Sequence, residues 1–407
     1  MTQVAKGFRL GTERTISPAE TIARLKPFVA AMGITRVANI TGLDCIGIPV
    51  VMVCRPNSRS LAVAQGKGLD LIAARASGLM ESIEFYHAER IQQPLILGSF
   101  EELRYGHRLV DVTRLPRLRT SRFHRDLPLL WMEGHDLLAG DQPVWLPYEM
   151  LQLNMTLPPP VGSGCFLGGS NGLASGNHVL EATSHALCEV VERDAATMFG
   201  LLDSDAQAAR RIDLATIDDP ACCDILERYA RANVDVAVWD ITSDVGIPAF
   251  LCQIVDRSED PLRALYACAG MGCHPTRRVA ILRALTEAAQ ERVALIAGTR
   301  DDLFRKGYER ARSMDILRGQ RAFMRDRGVR DFHSSPNWEK DTFDADVAWE
   351  LERLRAVGVV EVVAIELTRP EFQVPVVHVT IPGLEGTSWL DEYAPGARAR
   401  ACYGGAA

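Results

Sequence analysis

Three stretches of this chain place acidic or amide side chains at helical spacing within otherwise apolar sequence, and any fold must give those oxygens a common destination. The first is Ser77-Gly-Leu-Met-Glu81-Ser-Ile-Glu84. The second is Glu189-Val-Val-Glu192-Arg193, with Asn177, Glu181 and His185 upstream, and the third is Glu287-Ala-Ala-Gln290 in an Ala/Leu-rich run. Residues three or four apart share one face of a helix, so each stretch aims a pair of oxygen donors at one point. A solvated face is the ordinary fate of such a pair, because carboxylates are mostly exposed. Here the neighbours are Ala73, Ala74, Ala76, Leu79, Met80, Ile83 and Phe85 in the first stretch, and Ala186, Leu187, Cys188, Val190 and Val191 in the second. Like charges at this spacing repel, and desolvation adds to the cost. Arg193 alone cannot neutralise several carboxylates. Mg2+ takes oxygen ligands, usually a carboxylate or two completed by phosphates and water. The pattern points to a magnesium–nucleotide site drawn from three distant parts of the chain.

With 407 residues, the sequence is long enough for one large domain or two ordinary ones. No linker or low-complexity segment interrupts it, so a single domain over 1–407 is expected, with a β-rich sub-lobe at 95–160 and an irregular tail at 382–407. The net charge of −7 argues against a nucleic-acid partner, which needs a basic face. No apolar run is long enough to span a bilayer, and the first residues carry no apolar signal core. The expectation is a cytoplasmic protein without a membrane partner. Ten cysteines show no C-x-x-C pair. Cys45, Cys54, Cys165, Cys188, Cys252 and Cys268 read as small buried thiols rather than zinc ligands or disulfides.

Along the chain, Ser17-Pro18-Ala-Glu20 opens a helix. A strand at 48–54 and a run at 61–65 lead to Gly66-Lys67-Gly68 and a helix over about 69–90. Glycines flanking a lysine before a helix suit a phosphate weakly, and this is not a Walker A sequence. A Gly/Ser-rich loop at 162–177 precedes the second acidic helix, about 179–201. Strands at 234–256 and 263–269 and a turn at Gly270-Met-Gly-Cys-His-Pro275 precede the third, about 276–298. The same unit thus recurs three times: strand, Gly-rich turn, helix bearing inward acids. An Arg-rich helical surface at 299–332, a helix at 347–357 and strands at 359–367 and 374–381 follow, giving an α+β chain. His185 and His178 are candidate ligands or bases, although a packed histidine is commoner. His274 reads as a turn residue, and His87 and Glu89 as helix exterior. Cys165 and Cys273 lack an evident local base and read as structural.

These motifs together resemble the YcaO superfamily. Its Sx3ExxE motif is matched by Ser77, Glu81 and Glu84, its Nx3E segment by Asn177 and Glu181, its ExxER by Glu189, Glu192 and Arg193, and its ExxQ by Glu287 and Gln290. Arg55-Pro-Asn-Ser, Gln65-Gly-Lys-Gly, Gly172-Leu-Ala-Ser-Gly-Asn177, Gly272-Cys-His-Pro275 and Val379-Thr-Ile-Pro-Gly-Leu-Glu-Gly386 look like the branch that occurs with a TfuA partner. The resemblance covers almost the whole chain. It implies mixed or antiparallel sheets flanked by helices, with an ATP site between helices and sheet and no P-loop. It implies that Glu81, Glu84, Glu189, Glu192 and Glu287 hold Mg2+, and that Lys67, Ser77, Glu81, Asn177, Glu181, Arg193 and Gln290 meet ATP.

Such proteins use ATP to phosphorylate the oxygen of a peptide-backbone amide. A neighbouring side chain then gives an azoline, or external sulfide gives a thioamide. The resemblance also implies a peptide or protein substrate, a TfuA-like partner and a sulfide donor, and it allows a homodimer, since family members are often dimers. The first motif ends Glu84-Phe85 where some members have Glu-Arg, so one phosphate contact is either absent or supplied by Arg14 or Lys67. The chain lacks the Pro-x-Pro-x-Pro ending of azoline-forming members, which tilts the expectation toward thioamide formation. The rivals are an azoline-forming cyclodehydratase, a nucleotide-free peptide scaffold, and a metal-dependent phosphohydrolase. No general base is evident in the sequence.

Overall fold

The computed structural model describes residues 3–258, 267–303, 305–311, 313–386 and 392–404. Helix α1 (Pro18–Leu25) starts at a capping box in which Ser17 and Glu20 satisfy each other's backbone N–H groups. Strands β1 (Arg36–Asn39), β2 (Val50–Cys54) and β3 (Val63–Lys67) form an antiparallel sheet in that order, followed by α2 (Leu71–Ala88). After β4 (Leu95–Gly98), α3 (Phe100–Leu103), β5 (Leu129–Asp136), β6 (Gln142–Pro147) and β7 (Leu173–Ser175), the chain enters α4 (Val179–Gly200) and α5 (Ser204–Ala209).

The pattern of the first unit then returns. Helix α6 (Pro220–Arg231) leads into β8 (Val234–Asp240), β9 (Ala249–Asp256) and β10 (Cys268–Cys273), again three antiparallel strands in sequence order, followed by α7 (Arg277–Ala297). Helices α8 (Arg305–Ala311), α9 (Met314–Phe323) and α10 (Phe343–Ala356), strands β11 (Val363–Glu366) and β12 (Val376–Thr380), and helix α11 (Ala397–Gly404) complete the described chain. Strands β4 and β11 share one edge of β5 while β6 takes the other, and β12 and β7 extend the sheet beyond β11. The expected α+β architecture of antiparallel sheets flanked by helices is what forms. The strands of the 95–160 stretch belong to the same sheet as β11 and β12.

Three of the sequence expectations need correction. Gly270-Met-Gly-Cys273 is strand β10 rather than a turn, and only His274-Pro275 turns; residues 263–266 of the expected strand lie outside the described residues. Its glycines are there because α7 packs against the strand backbone. A Cβ on Gly272 would stand 2.0 Å from the Ala280 carbonyl oxygen, and one on Gly270 2.2 Å from the Ala288 nitrogen. Gly66 of β3 repeats this against α2, where a Cβ would meet Ala74 O and Gly78 N at 2.1 Å. Gly-Lys-Gly is therefore a strand end pressed against a helix. Next, the 382–407 tail carries α11, whose Arg398 reaches the buried Asp194 of α4 at 3.0 Å. Finally, His87 and Glu89 face inward, and Glu89 is buried because Arg55 grips both its oxygens at 2.7 and 3.0 Å. Among the thiols, Cys45 is exposed and Cys54 half-buried, whereas Cys165, Cys188, Cys252 and Cys268 are buried and all are free.

Apolar side chains seal the layers. Val51, Val53, Leu79, Ile83 and Trp131 pack between α2 and the sheets it covers. Leu187, Val191, Trp239, Val377 and Val379 hold α4 in place, and Ile225, Tyr229, Phe250, Ile281 and Leu285 do the same for α6 and α7. No helix among the described residues is long and apolar enough to cross a membrane. Gly272→Val should destabilise by roughly 3 kcal/mol or more, the upper end of overpacking. Gly319→Ala, on α9 with open space around it, should stabilise by about 0.5–1 kcal/mol. Chemical denaturation of the two variants checks the claim, and similar midpoints would contradict it.

Candidate active site

The three acid-bearing helices meet at a cavity of about 750 Å3. It lies where β3, β7 and β10 each end their sheet and so have one unpaired edge. An open strand edge leaves N–H groups that need acceptors, and the helix carboxylates supply them. Glu81 of α2 accepts from Gln65 N at 3.2 Å, and Glu84 accepts from Ser175 N at 2.8 Å and Ser175 Oγ at 2.6 Å. Glu287 of α7 accepts from Met271 N at 3.4 Å and Glu291 from Ala269 N at 2.6 Å. In both β3–α2 and β10–α7 the amide and its carboxylate are sixteen residues apart. The close strand–helix approach enforced by Gly66 and Gly272 is what brings the carboxylates within reach.

Each carboxylate spends one oxygen or less on these edges, leaving the remainder facing the cavity. Glu189, Glu192 and Arg193 of α4 join them there, with Ser77, Lys67 and Gln290 on the same walls. Lys67 pairs with Glu287, and Arg193 lies 3.6 Å from Glu189. The wall as a whole carries eight carboxyls, Glu13, Glu81, Glu84, Glu181, Glu189, Glu192, Glu287 and Glu291, against five cations. Burial pushes the Glu81 carboxyl up to about 7 despite the Lys67 charge, and the Glu84 carboxyl up to about 8 despite its bonds to Ser175. Burial likewise raises Glu189 to about 7, against the pull of Arg193, and raises Glu192. Burial acts upward on Glu287 too, but Lys67 and Arg193 outweigh it and hold that carboxyl below its ordinary range. The Arg193 guanidinium, disfavoured by burial, is more than compensated by Glu192, Glu189 and Glu287.

Glu181 also lines the cavity, held from the N-terminal segment by Thr15 N at 2.9 Å and Thr15 Oγ at 2.8 Å, with Arg14 at 3.7 Å. Asn177 stands behind Glu181 at 3.2 Å and is not on the wall. His178 caps α4 by accepting from Leu180 N. His185 does reach the cavity, where its Nε2 accepts from the Arg283 guanidinium at 2.6 Å. Burial and that guanidinium keep it neutral, its pKa well below the ordinary value. His274 is a turn residue that also lines the cavity, and Cys165 and Cys273 are buried.

Sequence reasoning missed Glu291, Arg283 and Arg300, all on the cavity wall. The spacing of Arg283, Glu287 and Glu291, four apart on one helix, was the available signal. With Phe85 on the wall in place of a cation, Arg14, Lys67, Arg193, Arg283 and Arg300 are the positive groups there.

Among the described residues no three acids, cysteines or histidines converge tightly enough to chelate a bare ion. A Mg2+ that keeps water and takes phosphate oxygens needs no such cage. The surplus of carboxylates suits a divalent cation, and the buried Gln290 Oε1, which has no hydrogen-bond partner among the described residues, suits a ligand donor. The donor set fits magnesium with a polyphosphate.

The sequence comparisons agree with this chemistry. A family model described as YcaO cyclodehydratase, ATP- and Mg2+-binding, matches residues 65–385. The chain belongs to the YcaO family, and its cofactors are ATP and Mg2+. A Rhizobium leguminosarum bv. trifolii protein of the tfuA 3′ region is 36% identical over 380 residues, covering 92% of this chain and 89% of that one. A Methanothermobacter thermautotrophicus protein is 32% identical, covering 91% and 95%. Among solved structures, YcaO from Methanopyrus kandleri bound with AMPPCP and Mg2+ superposes with a TM-score of 0.75 at 22% identity, covering 96% of each chain. A heterocyclase in complex with substrate and cofactor superposes with 0.74 at 22%, and this chain spans 57% of that protein's length. At that identity the two structures speak for the fold.

Carboxyls held above their ordinary value stabilise the fold fully below the normal carboxylate range, and that contribution is lost as pH rises through about 7–8. The nucleotide-free protein should therefore lose thermal stability between about pH 5 and 8, and Mg2+ with a non-hydrolysable ATP analogue should flatten the curve. Binding near pH 7 should release protons, seen by calorimetry in buffers of different ionisation enthalpy. A flat stability curve without proton release would contradict the electrostatics.

Proposed function

We propose that this protein activates a peptide-backbone amide by ATP-dependent phosphorylation of its oxygen, and that the product is a thioamide formed with sulfur delivered by a TfuA-like partner. The observation that carries the reading is the convergence of acids from α2, α4 and α7 on one cavity with more negative charge than its own cations balance. In this reading Glu81, Glu84, Glu189, Glu192 and Glu287 hold Mg2+. Lys67, Ser77, Glu81, Glu181, Arg193 and Gln290 orient ATP, with Asn177 supporting Glu181 from behind. Bound Mg2+–ATP supplies the phosphoryl group and neutralises its charge.

The protein's own contribution is positioning and charge, which is what phosphoryl transfer chiefly requires. Lys67 and Arg193 meet phosphate oxygens, and the enclosed walls strengthen each of these contacts by excluding water. An amide carbon is a poor electrophile and its oxygen a poor leaving group. Fixing the amide beside the phosphate converts that oxygen into one that departs with its electron pair, and the incoming nucleophile decides the product.

The relative from the tfuA 3′ region supports sulfur as that nucleophile and a TfuA-like protein as the partner. A peptide as substrate is supported by the microcin synthetase McbBCD with pro-MccB17, a fold neighbour with a TM-score of 0.59. Azoline formation is the second reading, favoured by the family model's own description. Intact-mass analysis separates them, since exchange of oxygen for sulfur raises the substrate mass and loss of water lowers it.

Glu192→Ala should cut peptide-dependent ATP turnover by on the order of 10²-fold or more. Its melting temperature should hold or rise, because the variant relieves repulsion among the acids. Near-normal turnover would refute the site assignment. ATP turnover equal with and without peptide would favour a phosphohydrolase instead.

A further inference from the structure

Glu350, on α10, is a fully buried carboxyl that the magnesium–nucleotide reading leaves unused. Its Oε1 accepts from Ser184 Oγ at 2.6 Å and from the Cys188 thiol at 3.4 Å, while its Oε2 has no hydrogen-bond partner among the described residues. No cation among those residues is bonded to it. Lys6, the nearest buried ammonium, is engaged by Glu13 and by Asp346 at 2.6 Å. Leaving a buried oxygen unpaired is unfavourable, so packing alone is a poor reason for a glutamate here. Ser184, by contrast, has a second exposure. It lines the active-site cavity on α4, one turn after Glu181 and five residues before Glu189, or about 7.5 Å along the helix axis. Ser184 therefore borders the cavity while its hydroxyl holds the buried carboxyl.

We propose that Ser184 and Glu350 form the proton-accepting pair of the reaction, the hydroxyl relaying and the carboxylate storing the proton. The inference rests on the amide-activation reading. Hydrosulfide adds to the amide carbon, forming the C–S bond and moving the carbonyl pair onto oxygen. That oxygen takes the phosphoryl group as the anhydride P–O bond breaks. The C–O bond then breaks, phosphate departs with the electron pair, and the S–H proton passes to Ser184 Oγ as the serine's own proton passes to Glu350 Oε1. The stored proton is later returned to the departed phosphate, so atoms and charge balance.

Burial raises the Glu350 carboxyl to about 8, near the operating range in which an acid–base group works best. The groups facing it are Asp346 on its own helix, Ser184 and Cys188 from α4, and beyond Cys188 the Cys273 thiol of β10. Lys6 and Glu13 of the N-terminal segment lie past Asp346. His185 and His274, also near this end of the cavity, are kept neutral by burial and by neighbouring positive charge.

The test is single-turnover product formation against pH, beside affinity for Mg2+ and a non-hydrolysable ATP analogue. The wild-type rate should climb with pH through about 8. E350Q should lower it by on the order of 10²-fold and remove that climb, with nucleotide affinity within twofold of wild type. E350D should recover part of the rate with a displaced profile, which a merely structural role would not produce. S184A should match E350Q, and it carries the test if E350Q does not fold. A variant within threefold of wild type, or one that keeps the wild-type pH profile, overturns the pair. A wild-type protein with no peptide-dependent ATP turnover would overturn the amide reading itself, and the pair with it.

Discussion

Excess negative charge held at open strand edges is the constraint on which this structure turns. Eight carboxyls and five cations line the cavity, and each acid on α2 and α7 is anchored by an N–H group that no neighbouring strand can satisfy. The anchoring solves two problems at once. The edges of β3, β7 and β10 are closed without another strand, and the carboxylates are fixed so that their free oxygens converge. The cost of burying these acids, with a smaller part from their mutual repulsion, shows in the raised carboxyls of Glu81, Glu84 and Glu189, and a bound cation would offset it.

The architecture that achieves this is used twice. A helix, three antiparallel strands in sequence order and a second helix bearing acids form residues 18–88, and the same succession forms residues 220–297. In each, glycines in the third strand let the second helix lie against its backbone, so that the amide and its carboxylate fall at the same separation. Helix α4 supplies Glu189, Glu192 and Arg193 from elsewhere, and Lys67 of the first unit crosses to Glu287 of the second. The cavity is accordingly a meeting of two like halves with a third helix, which explains how residues so far apart in sequence come to share one site.

Much of this was legible in the residues. Helical spacing marked Glu81 and Glu84, Glu189 and Glu192, and Glu287 and Gln290 as three faces, and their apolar neighbours told that the faces turn inward. The threefold strand–glycine–helix unit was legible too, though the meaning of its glycines was not. Glycine in Gly270-Met-Gly reads as turn because it is permissive there, yet here it serves close approach to a helix, which only the tertiary contact reveals. Glu89 looked exterior because its partner Arg55 is thirty-four residues away. Ser184 carried no local signal either, since a serine among apolar residues is commonplace, and Arg283 was marked only by its spacing from Glu287 and Glu291. Their meaning comes from His185, Glu350 and the cavity they share.

The most direct test of the central claim is a crystal structure with Mn2+ and a non-hydrolysable ATP analogue, read by anomalous scattering. The account predicts metal peaks inside the cavity, bridging phosphate oxygens to carboxylates of α2, α4 and α7. Metal and nucleotide bound elsewhere, with Glu81, Glu189 and Glu287 left uncoordinated, would contradict it.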